Sequence, residues 1–408
     1  MLGKSVKNVA LVALAAWCGC ALANPEGPQV VNGSATFSQP NANTLNVTNS
    51  RNAIINWQSF NIGKGQTTNF IQPSSSSAVM NRVISNNPSK IYGNLNSNGK
   101  VFLINQHGLM IGAGARINTA GFYGSTLNIT NEDFLKGNLK FEGGGFGGIQ
   151  NHGYIHAGPN GNVVLVAPDI ENGGVIEVDD GNVILAAGES IRITSLNDAA
   201  IEFDVQSPDN GIINLGSIIA KQGAARLFAG NLKHSGSINA TGIVRNADGS
   251  ISLVAQADIE VSAEATLDAD GDEGGSIRVQ SHHGDVHFHG SASARGETSN
   301  GGRIEILGER VGLFGAAEVN ASGKTGGGEV LVGGDFQGLG DTQTANQTVV
   351  SREASIRADA IDSGDGGKII AWADDFTLFE GKATATAGAN AGDGGFIEIS
   401  GKGSLGFY

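Results

Sequence analysis

Asn94-Leu95-Asn96-Ser97-Asn98-Gly99-Lys100-Val101-Phe102-Leu103-Ile104-Asn105-Gln106-His107-Gly108-Leu109-Met110-Ile111-Gly112 sets an Asn/Gly turn, an apolar strand, a second turn and another strand in one short stretch. Asn and Gly reach turn conformations that other residues resist, and the run Val101–Ile104 has the branched and aromatic side chains that suit a pleated strand. The stretch reads as one corner of a stacked β-coil. Outward from it, a turn ending in glycine followed by alternating apolar residues recurs. It is found at Gly161-Asn162-Val163-Val164-Leu165, Gly181-Asn182-Val183-Ile184-Leu185, Gly249-Ser250-Ile251-Ser252-Leu253 and Gly275-Ser276-Ile277-Arg278-Val279. Later copies begin at Gly302, Gly328, Gly367 and Gly395. The starts at Gly249, Gly275, Gly302 and Gly328 lie 26, 27 and 26 residues apart, which is the fixed period of a solenoid. A leucine-rich repeat would place Leu at fixed offsets with an Asn in each unit, whereas here Ile and Val follow Gly turns. A parallel β-helix fits: inward Val, Ile and Leu of each coil stack on the next coil, one strand spacing of about 4.8 Å away. At roughly 24 residues per coil the mature chain predicts about sixteen coils and a rod on the order of 75 Å. Only Asn131–Leu135 suggests short helical turns.

Composition agrees with this reading. Of 408 residues 63 are glycine, 16% are charged and 6% aromatic, which is unusual for a globular enzyme, while 40% hydrophobic content is too high for disorder. The net charge of −14 argues against nucleic acid and anionic membrane as partners, since phosphate binding needs clustered Lys and Arg and the sequence has no such cluster. Lys4 and Lys7, the apolar run Val9–Ala16 and Ala21-Leu22-Ala23 form a secretory signal over residues 1–23, handing the chain to the Sec translocon. Its apolar run falls short of the roughly twenty residues of a membrane helix. Cys18 and Cys20 lie in the signal, so the exported fold is held without disulfides, by stacking of neighbouring units. The mature chain divides at a soft boundary into 24–248 and a more regular continuation, 249–408. The last unit stops one strand into a coil at Gly406-Phe407-Tyr408, which reads as a fragment or shortened member of a longer family.

The opening stretch closely resembles the pattern "N-x-N-G-x-V-F-L-I-N-P-N-G-I-x-F-G" of filamentous-haemagglutinin-like exoproteins, the cargo of bacterial two-partner secretion. Trp57-Gln58-Ser59-Phe60-Asn61-Ile62-Gly63, Asn69-Phe70-Ile71-Gln72-Pro73, Asn81-Arg82-Val83 and Asn87-Pro88-Ser89-Lys90-Ile91-Tyr92-Gly93 follow that family's order and spacing. The resemblance implies an all-β fold: a right-handed parallel β-helix, a pectin-lyase-like solenoid with small extra-helical β elements near the N-terminus. It implies an adhesin-type exoprotein of a Gram-negative bacterium, secreted or surface-displayed after passing the periplasm and binding a host-cell or bacterial receptor. The implied exporter is an outer-membrane Omp85-type transporter with POTRA modules, which an extended segment can engage by edge pairing. By resemblance Asn105, Gly108 and Leu109 carry recognition, with Asn96, Asn98 and Gly99 in the preceding turn. The plainer reading is that these residues build turns and Asn ladders that nucleate the helix. Gln106-His107 departs from the family, where Pro-Asn is usual.

Further clusters have weaker claims. His282, His283, His287 and His289 gather half of the eight histidines, with His287 and His289 on one strand face, a pattern that suits a metal or haem iron or simply a solvated face. Asp268, Asp270 and Asp272 concentrate carboxylates in a turn that would suit calcium, though turn chemistry explains them equally. No cofactor is required by any motif. A polysaccharide-active enzyme would be a function of a different class, because β-helices carry such activities, but no Asp, Arg and Lys recur at a coil offset and stacking aromatics are scarce. A rod of this kind would also suit capture of haem or a haem carrier, or service as the stalk of a contact-dependent toxin. Asn-x-Ser/Thr tripeptides at Asn32, Asn46, Asn128, Asn239, Asn320 and Asn346 could accept sugar.

Overall fold

The computed structural model describes residues 24–194, 201–204, 210–241 and 249–408; for 201–204 it gives the strand path alone. The signal segment and its cysteines lie outside the described residues.

The chain coils into a parallel β-helix with three faces. Among the described residues the first face has fourteen strands from Gln29–Asn32 to Phe396–Gly401, the second twelve from Ser89–Ile91 to Ser404–Phe407, and the third fourteen from Ala35–Asn41 to Lys382–Thr384. Every coil-to-coil pairing on these faces is parallel except at the N-terminal end. There Gln29–Asn32 runs antiparallel to Ala53–Trp57, and Ala35–Asn41 antiparallel to Thr44–Asn49, so the first layer is closed by a folded-back hairpin. The register places one inward column on the first face through Val101, Phe122, Val163, Val183, Ala225, Ile251, Ile277, Ile304, Val330 and Ile369. All are essentially without solvent exposure and belong to one continuous core. The glycines that marked the period do open the strands of this face, as at Ser250, Ser276, Arg303, Glu329, Lys368 and Phe396.

The expected sixteen coils are too many. The first face carries about thirteen parallel layers among the described residues, or roughly 58 Å of stacking. The reason is that the chain twice leaves the helix, between Ser125 and Ile149 and between Ala187 and Gly211. The first excursion forms the helix Asn131–Lys136 and the strand Leu139–Glu142, and the second adds Ser190–Ile193 and Ile201–Asp204, giving a three-stranded antiparallel sheet. The helix is the one foreshadowed near Asn131. Thr130 caps its N-terminus, accepting the Asp133 amide at 3.0 Å, and Gly137 ends it at φ 77°. The excursion covers outward apolar side chains of the first face, so Ile54, Met80, Phe102, Ile104, Tyr123, Val164 and Ile184 form a second core with Phe134, Phe141, Ile191 and Ile193. Phe102 stacks on Tyr123 at 4.2 Å and meets Phe134 edge-on at 5.1 Å. Further on, the segment 333–346 lies over Leu331, Ile370 and Trp372 as a smaller cover.

Candidate recognition site

The decisive stretch occupies one full coil: Asn94–Ser97 on the third face, Lys100–Ile104 on the first and Leu109–Ile111 on the second. Its asparagines stack as the turns require. The Asn96 amide donates to Asn69 Oδ1 at 3.0 Å and Asn69 donates to Asn46 at 2.9 Å, a ladder on the outside of the third face. Asn98 grips Gln72 of the preceding coil twice, accepting its amide N–H and donating to its carbonyl, both at 2.8 Å. Gly99 sits where a Cβ would run into the Gln72 side chain at 2.5 Å. The Asn105 side chain is fully buried at the next corner. It donates to the Asn87 carbonyl and Ser89 hydroxyl, each at 3.0 Å, and accepts the His107 amide at 3.0 Å. Gly108 follows with φ 120°, and Leu109 turns inward, 3% exposed. Six residues singled out by resemblance are thus brought onto two corners of one coil, and in the folded state Asn105 and Leu109 are closed off from any partner.

The remaining clusters come apart. His282 and His283 stand side by side before the strand Asp285–Phe288 with ring centroids 6.5 Å apart, while His287 and His289 pack against Phe314 at 5.8 and 5.3 Å. Asp270 is engaged by Arg295 through Nε at 2.8 Å, by the Arg295 amide and by the Ser293 hydroxyl at 2.6 Å. Asp268 accepts from Asn239 at 3.0 Å, and burial raises its pKa above the usual carboxylate range. Among the described residues no group of three or more His, Asp or Glu side chains forms a metal cluster.

Sequence reasoning missed a buried polar ladder where the second face turns into the third. Asn151 donates to Asn172 at 2.7 Å, Asn172 to Asn214 at 2.8 Å, and Asn214 to His234 Nδ1 at 3.0 Å. All four side chains are without solvent exposure. His234 Nε2 faces the Thr266 carbonyl at 3.4 Å, and burial pushes its pKa down to about 4, so the ring is neutral with its proton on Nε2. The signal was present as Asn-x-Gly at Asn151, Asn172 and Asn214, with His234-Ser235-Gly236 in the fourth place.

It also missed a groove of about 750 Å³ running along the outside of the second face from Pro88 to Glu260. At its N-terminal end His107 stacks on Phe146, with centroids 5.2 Å apart at 24°, and Phe146 is 73% exposed. Phe146 is held there by its amide, which donates to the Gln106 carbonyl at 2.8 Å.

A disulfide-free rod that begins in a folded-back hairpin, carries an antiparallel cover over its early coils and shows this turn-strand-turn corner defines a class of exported β-helix modules. The crystal structure of the HMW1 secretion domain from Haemophilus influenzae superposes with a TM-score of 0.76 at 35% identity, covering 94% of this chain and 96% of that one. The TPS secretion domain family model matches residues 21–279, and the chain belongs to that family. Two curated relatives are also similar. A "Heme/hemopexin-binding protein" of Haemophilus influenzae strain Rd is 32% identical over 232 residues, 52% of this chain and 25% of that protein. A second Haemophilus influenzae protein of the same name is 37% identical over 126 residues, 30% of this chain and 14% of that protein. The chain therefore spans about a quarter of the first relative's length.

Proposed function

We propose that this chain is the export-directing part of a rod-shaped adhesin-type exoprotein. It enters the periplasm through the Sec translocon and crosses the outer membrane of a Gram-negative bacterium through a cognate Omp85-type transporter with POTRA modules. At the cell surface its exposed faces meet a host-cell or bacterial receptor; it works by binding and not by a reaction. Residues 24–248 are the secretion domain and 249–408 continue the rod. The observation that carries this reading is the TPS family match, which includes the Asn94–Gly112 coil. Recognition acts on Asn96, Asn98, Gly99, Asn105, Gly108 and Leu109 before the coil closes, because the folded chain buries Asn105 and Leu109.

Expression in a bacterium lacking its own system, with and without the transporter, tests this directly. Transporter-dependent appearance in the medium or at the surface is expected; periplasmic retention in both cases overturns the reading. Asn105→Ala should reduce export well below Asn151→Ala. Both remove a fully buried amide and cost about 1–3 kcal/mol in the folded state, so equal export of the two assigns Asn105 to the fold alone.

A second reading, capture of haem or a haem carrier, is favoured by the two relatives named for that binding.

A further inference from the structure

We propose that the N-terminal end of the groove on the second face is an iron-porphyrin site in which His107 supplies the axial nitrogen and Phe146 the apolar ledge; this rests on the haem-capture reading. Three observations converge there. The His107 imidazole packs on the Phe146 ring and makes no side-chain hydrogen bond among the described residues. A ring nitrogen without such a bond is placed to ligate iron. Phe146 leaves 73% of its surface in solvent beside a groove whose volume falls within the roughly 300–1,000 Å³ of small-molecule clefts. It is placed there by an uninterrupted glycine context, Gly143-Gly144-Gly145 before it and Gly147-Gly148 after it. A Cβ at Gly144 would strike the Gln106 side chain at 2.5 Å, and one at Gly147 the His107 carbonyl at 2.5 Å. The Gln106-His107 pair is the point where this chain departs from its family's usual Pro-Asn, so the departing residues and the loop that packs on them form one unit.

The charge along the groove chooses the ligand and its orientation. Lys90 stands at the same end as His107 and Met110 and forms no ion pair among the described residues. Asp169 and Glu171 line the middle of the groove and Asp258 and Glu260 its opposite end, with Lys233 already bound to Glu260 at 3.0 Å, so among the described residues the Lys90 end is the one end of the groove without a carboxylate beside it in the lining. A ligand with an apolar body and carboxylates at one edge is drawn to the Lys90 end and repelled from the far one. A fatty acid would satisfy the apolar surface and the lysine but leave the imidazole unused; an iron porphyrin uses all three.

The test is a titration of the purified chain with ferric haem, following the Soret band, beside the same titration with metal-free protoporphyrin. Saturable haem binding with a shifted Soret band is expected. His107→Ala should weaken it by about tenfold or more, since loss of a ligand's outer hydrogen-bond partner alone costs about that much. Lys90→Ala should weaken it by about threefold, the scale of one exposed charge. The His287→Ala/His289→Ala double variant should bind as the unmodified chain does, and metal-free protoporphyrin more weakly than haem. Circular dichroism of each variant checks that the rod is intact. Unchanged haem binding by His107→Ala, or equal binding of the metal-free ring, overturns the site. Loss confined to the His287/His289 variant overturns the site while leaving the haem reading standing. No binding of haem by the unmodified chain overturns the site, and unmodified chain that binds a haem-loaded carrier protein but no free haem leaves the capture reading intact.

Discussion

A single inward column at the turn from the second face to the third changes its chemistry halfway along the rod. In register it runs Ile91, Ile111, Asn151, Asn172, Asn214, His234, Val261, Phe288, Leu313, Val350 and Phe379. After Ile91 and Ile111, three successive coils hold this corner with the amides of Asn151, Asn172 and Asn214, each donating to the side chain of the next coil. The late coils hold it with aliphatic and aromatic side chains that need no partner. The change of chemistry needs a terminator, because an amide stacked against Val261 would leave a buried donor unsatisfied. His234 meets that need. It accepts the last amide proton on Nδ1 and directs its own proton from Nε2 to the Thr266 carbonyl, so the ladder ends without an orphan.

Three substitutions put the contrast between the two halves to the test. The largest effect is expected from Phe288→Asn, which puts a ladder residue in the apolar half. It removes a fully buried ring and strands an amide between Val261 and Leu313, costing about 5 kcal/mol and moving the urea midpoint far down. The converse, Asn172→Leu, places an apolar residue in the polar half and orphans the Asn151 donor and the Asn214 acceptor. A loss of about 2–5 kcal/mol is expected by the same measurement. If Asn172→Leu leaves the midpoint unchanged, the ladder contributes nothing that packing cannot replace.

The third acts through pH. The folded-state pKa of His234 is about 4, and in the unfolded chain an imidazole titrates near 6.5. Between those values the unfolded chain binds a proton that the folded chain refuses, so stability falls as pH drops from about 6.5 to about 4, and above that window this group adds no pH dependence. The loss should approach about 3 kcal/mol at the acid end. His234→Asn should remove that slope, and at neutral pH it should cost about 1 kcal/mol because its amide then faces Val261. Thermal unfolding across pH 4–8 checks both, and a slope that survives in His234→Asn would assign it to different groups.

The parts of this molecule legible in its sequence are those written locally. Val101-Phe102-Leu103-Ile104 between Asn/Gly turns, and Gly302-Arg303-Ile304-Glu305-Ile306 with its charged residues out and isoleucines in, reveal strand, face and period without any knowledge of neighbours. The family resemblance extends this to a secretion module. The excursions are less legible. The helix at Asn131 shows as a hint, but nothing in Leu139–Glu142 or Ser190–Ile193 distinguishes a strand of the cover from a strand of the rod. Counting both as rod inflates the coil number. His282, His283, His287 and His289 look like one cluster because they are adjacent in sequence, yet His282 and His283 lie in the turn before the strand Asp285–Phe288, whereas His287 on that strand and His289 just after it pack against Phe314. His107 and Phe146 look unrelated and are in contact.

The class of fold, its repeating unit and the family are written in the chain itself, because alternation and turn chemistry act over a few residues. Which residues share a column, where the rod is covered and that His107 meets Phe146 emerge only once the coils are stacked. Those relations join residues twenty to forty positions apart, and each excursion between coils resets the spacing by which they could be recognised.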